Sequence, residues 1–109
     1  MAEVVEGQGH TFTWTLTSAD PTGTEVICNI GDKCIQYDGT WGTATFSLQG
    51  SNDGTTWYTL TDPQGNSITG TADRMEQIME TPKYLRPNLT TAGAGATIVA
   101  VIYVRPGRR

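Results

Sequence analysis

Two stretches far apart in the chain alternate strictly between large apolar and small polar residues, and this pattern constrains the fold most. In "HTFTWTLT" Phe12, Trp14 and Leu16 fall on one face and threonines on the other, and in "TATFSLQ" Ala44, Phe46 and Leu48 share a face. A period of two is that of a strand with one side in a core and the other toward water. The final run, "TIVAVIYV" at 97–104, is apolar on both sides. Ile98, Ala100, Ile102 and Val104 suit one core, while Val99, Val101 and Tyr103 require a second layer, either loops or another subunit. Strands at short spacing with turn chemistry between them predict an all-β sandwich or barrel.

The intervening segments fit the same class. "TEVICNI" and "CIQY" read as a hairpin around Gly31 and Asp32, with Val26, Cys28 and Ile30 on one face. "DGTWG" at 38–42 is a loop carrying Trp41, and 61–72 is a long polar loop. "DRMEQIME" fits one helical turn through Met75, Ile78 and Met79, and a strand less well; bounded by Pro82 among β neighbours, it reads as an irregular extended segment. "KYLRPNL" reads as a strand ending near Pro87, because proline cannot donate to a ladder. At 109 residues the chain makes one domain, expected at 10–105. A basic tail follows at 106–109. Residues 1–9 read as an arm, loosened by Gly7 and Gly9, in which Val4 and Val5 offer something to bury.

Composition excludes several functions. Charged residues are sparse and net charge is −4, which argues against nucleic acid as a partner. Three of the basic residues, Arg105, Arg108 and Arg109, do gather at the end, as a solubilising tail or one that touches an acidic partner surface. No apolar run is long enough to span a membrane. The start, "MAEVVEGQGH", lacks the pattern of a secretory signal, so a protein made and kept in a cytosol, or released by lysis, is expected. Cys28 and Cys34, with His10 as the one histidine, cannot complete a zinc site. The pair either bridges under oxidising conditions or stays as two small apolar residues. His10 beside either cysteine is too little for a nucleophile and base, and no phosphate-cradling glycine loop is present. The expectation is a protein without enzymatic activity, cofactor or metal.

The densest pattern is "GSNDGTTWYTL" at 50–60. Asp53 is its only acid, which is too few carboxylates for calcium. As a hairpin, a three-residue loop of Asn52, Asp53 and left-handed Gly54 places Leu48 opposite Tyr58 and Phe46 opposite Leu60, so that all four share a face. A two-residue turn splits that set, and a slip of one residue flips every side chain. Trp57 then points away from the core. Either a loop or edge covers it, or it belongs to a contact surface, where tryptophan is over-represented. Trp41 poses the same choice.

The "SNDGTTW" hairpin and the "KYLRP" element resemble parts of discoidin-type jelly rolls. Over more of its length, through this hairpin, "YLRP", the Thr- and Gly-rich composition and the Arg-bearing end, the chain resembles the decoration or cement proteins of tailed bacteriophages. That resemblance implies a jelly-roll-like antiparallel β-sandwich without enzymatic activity, synthesised and assembled in the host cytoplasm and placed on the capsid exterior of a virion. It implies that the protein forms a homodimer or homotrimer and binds the major capsid protein, bridging neighbouring subunits. Val4, Val5, Trp41, Trp57, Val99, Val101 and Tyr103 are the candidate contact residues. A carbohydrate-binding module of a tail or fibre is the alternative, because the two tryptophans can offer aromatic faces to sugars.

Overall fold

The computed structural model describes residues 4–6, 11–27 and 32–105, with the backbone alone for 4–6. Among them are ten strands and no helix: β1 (Val4–Glu6), β2 (Thr11–Thr17), β3 (Val26–Ile27), β4 (Asp32–Thr40), β5 (Thr45–Ser51), β6 (Tyr58–Thr59), β7 (Thr69–Gly70), β8 (Arg74–Ile78), β9 (Tyr84–Thr91) and β10 (Thr97–Arg105). One sheet runs β1-β2-β10-β4-β8; the other runs β3-β9-β5-β6, with β7 also on β5. Every pairing is antiparallel. From β2 onward the chain changes sheet at each connection except those from β5 to β6 and β7. That interleaving is the strand order of a jelly-roll sandwich.

The alternating segments behave as their period demands. Trp14 and Leu16, then Ile98, Ala100, Ile102 and Val104, point inward from the first sheet and are buried, with Phe12 packed partly against them. Phe46, Leu48 and Leu85 face them from the second sheet. Two aromatic residues tie the layers together. Tyr37 of β4 stacks on Phe46 at 4.1 Å between ring centroids. Trp14 of β2 donates its indole N–H to the Thr24 carbonyl at 2.8 Å.

Several expectations are corrected. β3 and β4 do not form a hairpin with each other: β3 pairs with β9 in the second sheet, while β4 lies between β10 and β8 in the first. Residues 28–31 lie outside the described residues, and with them Cys28 and any bridge to Cys34. The 74–78 stretch is a regular strand on β4, not an irregular segment. Its inward positions are Glu76 and Ile78, so an acid occupies a place where the pattern calls for an apolar residue. Glu76 is accommodated because the Tyr37 hydroxyl donates to it at 3.1 Å and Arg74 approaches to 3.4 Å. The 61–72 segment is not wholly polar loop: Ile68 is buried, and β7 follows it.

Pro87 does not end its strand. In an antiparallel ladder the N–H and C=O of one residue point to the same side. The Pro87 carbonyl accepts from Gly23 N at 2.9 Å, so its missing N–H faces the irregular 21–24 segment and not β5. The ladder to β5 survives, with Pro87 opposite Leu48.

Candidate interaction surface

The hairpin at 50–60 is looser than a three-residue turn. Gln49 pairs with Thr59 and Gly50 with Tyr58, so Leu48 meets Leu60, whose N–H donates to it at 2.9 Å. The register has moved by two residues from the expected one. A shift of two keeps every side chain on its face, and Trp57 stays on the side away from the core. Tyr58, however, passes the end of the core and is 69% exposed.

The longer loop is held by its own side chains. Asp53 Oδ1 accepts from the N–H groups of Thr55 and Thr56 at 2.8 and 2.9 Å and from the Ser51 hydroxyl at 2.9 Å. Ser51 Oγ accepts from Gly54 N at 2.8 Å. Gly54 adopts a φ of +77°, the left-handed region that suits glycine. The N–H groups of Thr56 and then Thr55 hold the Asp53 carboxyl below the usual carboxylate range. Asn52 Oδ1 accepts from Lys83 N at 3.0 Å and anchors the loop to the start of β9.

Both tryptophans have structural partners. The Arg86 guanidinium lies 4.1 Å from the Trp57 ring centroid, and its Nε donates to Gln49 Oε1 at 2.8 Å. Arg86 stands opposite Gln49 in the β5–β9 ladder, so the outer face of the second sheet positions the cation that covers Trp57. Replacing Arg86 with alanine is expected to shift Trp57 emission to the red, read as the difference from the same variant carrying Trp57→Phe. Unchanged emission would mean the guanidinium does not cover the ring. Trp41 donates its indole N–H to Asp73 Oδ1 at 2.8 Å, and the same oxygen accepts from Gly39 N at 3.2 Å. Its ring meets Tyr37 edge-on at 6.0 Å and packs against the core.

Val99, Val101 and Tyr103 lie together on the outer face of the first sheet. In register, Val101 is flanked by Thr13 and Gln36, and Gln36 by Met75; Tyr103 is flanked by Thr11 and Cys34, and Cys34 by Gln77. Tyr103 is 53% and Met75 65% exposed. No side chain in these two rows carries a charge. Charges stand at the margins, with Asp38 at one end and the Arg105–Asp32 ion pair at the other. Four strands about 4.8 Å apart and two rows about 7 Å apart make the uncharged patch roughly 19 by 14 Å, about 270 Å². Val4 and Val5 belong to β1, which extends this sheet along β2 with Val5 opposite Thr13. The expected contact residues therefore separate. Three share this face, Trp57 lies on the opposite sheet, and Trp41 caps the end of β4. Met75 and Gln77 join the face through β8.

No family model and no curated protein matches the chain. Among solved structures it is similar to PirA, at 17% identity and a TM-score of 0.49, over 92% of this chain and 97% of that one. No helix among the described residues is long and apolar enough to cross a membrane.

Proposed function

We propose that the protein is a non-enzymatic structural component of a tailed-phage virion. It docks on the capsid exterior through the outer face of the first sheet and bridges neighbouring subunits of the major capsid protein. The observation that carries this reading is the uncharged outer patch around Val101, Tyr103 and Met75, with Val99 at its margin beside Asp38, on a chain with a net charge of −4. An acidic protein approaches another surface at least cost through such a face. At about 270 Å² the patch is about a third of the usual share of one partner in a stable interface. Useful affinity then comes from a homodimer or homotrimer gripping several sites at once, because the second contact forms at high effective concentration. The purified protein is expected to co-sediment with mature capsids of its phage. Val101→Glu is expected to abolish that binding with little loss of thermal stability, since Val101 is not in the core. Wild-type protein that stays in the supernatant would falsify the reading.

A further inference from the structure

Between the 50–60 hairpin and the segment leading to β9 lies a cleft of about 490 Å³. That volume falls within the range of small-molecule sites, roughly 300–1,000 Å³. Its floor is apolar. A Cβ on Gly50 would sit 2.6 Å from Pro82 Cγ and 2.8 Å from Leu60 Cδ2, so these two side chains close directly over a bare backbone. Tyr58 also lines the cleft, with its ring mostly in solvent. Thr56, Thr81, Asn52 and Asp53 line its rim and bring hydroxyl, amide and carboxylate groups to it.

The loop's internal bonds leave part of this rim available. Asn52 uses its carbonyl oxygen on Lys83 N, which leaves the amide N–H groups as donors. Asp53 uses Oδ1 on its own loop, which leaves Oδ2 as an acceptor. The loop is thereby held in shape before any ligand arrives, and pre-organisation of this kind lowers the cost of binding. Glu80 also lines the cleft, with its carboxylate accepting from the N–H and hydroxyl of Thr61. Asp53 and Glu80 together make the site unfavourable for an anion.

We infer that this cleft binds a neutral pyranose, with the apolar C–H face of the sugar against Tyr58 and Pro82 and its hydroxyls on Asn52, Asp53 and the threonines. A pyranose matches the arrangement because it too has an apolar face bounded by hydroxyl donors and acceptors. The site is separate from the outer face of the first sheet, and the inference is independent of capsid binding. The tryptophans are not the platform: Arg86 lies against the Trp57 ring and Trp41 packs on the core.

The test is amide chemical-shift mapping on the full ¹⁵N-labelled chain. The probes are the methyl pyranosides of glucose, galactose and mannose, N-acetylglucosamine, and glucuronate as the anionic counterpart. At least one neutral sugar is expected to shift the amides of residues 50–58 and 81 saturably at millimolar concentration. Tyr58→Ala, at an exposed position, is expected to weaken that response about tenfold or more, equivalent to at least 1.4 kcal/mol. Glucuronate is expected to bind more weakly than the best neutral sugar. The inference is overturned if no neutral sugar moves these amides, if the shifts map elsewhere, or if folded Tyr58→Ala responds like wild type. Equal or stronger binding of glucuronate likewise overturns the assignment to a neutral ligand.

Discussion

Gly39→Ala is expected to be among the most damaging single-methyl additions in the molecule. Gly39 sits in β4 with a φ of +145°, and a Cβ there would lie 2.0 Å from the Thr97 carbonyl oxygen. The obstructing atom is backbone, so no rotamer change relieves the contact. Either β4 draws back from β10 or Gly39 leaves its conformation, and both disturb the N–H that Gly39 donates to Asp73. Backbone strain alone costs about 1–3 kcal/mol, and the collision adds to it, against a total stability of roughly 5–15 kcal/mol. A fall of at least about 10 °C in melting temperature is expected. Gly65→Ala is the control, because Gly65 has a φ of +90° with nothing within 4 Å of an added Cβ. That variant carries the strain without the collision. Equal losses in the two would show that Thr97 does not enforce the glycine.

The second large effect is expected at Trp14. Its ring is fully buried, and an added Cβ on Gly23 would lie 2.8 Å from Trp14 Cδ1, so the indole fills the space between β2 and the 21–24 segment. Truncation to alanine is expected to cost about 3–5 kcal/mol through lost burial and the cavity left behind. Phenylalanine keeps much of the apolar volume but leaves the Thr24 carbonyl without its indole donor. Trp14→Phe is therefore expected to lose less than Trp14→Ala, by a clear margin in denaturant midpoint. Similar losses in the two variants would mean that the hydrogen bond outweighs the packing.

What the sequence revealed depended on how local the determinant was. β2, β5 and β10 were legible because burial repeats every second residue within each strand. The outer face was partly legible for the same reason, since Val99, Val101 and Tyr103 are apolar where a solvated strand would be polar. β8 was hidden by Glu76, whose burial depends on Tyr37, a residue from a different strand. Met75, which completes the outer patch, was missed with it. The β3–β4 hairpin failed for a topological reason: neighbouring strands were assumed to pair, whereas a jelly roll sends them to opposite sheets. Tyr58 was misplaced because side-chain bonds from Ser51 and Asp53 stabilise a longer loop than backbone turn types suggest. The aromatic wall of the cleft escaped sequence reading for that reason.

The position of β10 has a consequence for biosynthesis. It lies between β2 and β4, yet it leaves the ribosome after all nine of the other described strands. Until then β2 and β4 have no shared neighbour, and the first sheet stands as two separate pieces with open edges. Partners so distant along the chain also make for slow folding. Chains stalled before residue 97 would expose unpaired strands and be prone to aggregate or be degraded. Assembly of the first sheet therefore awaits β10.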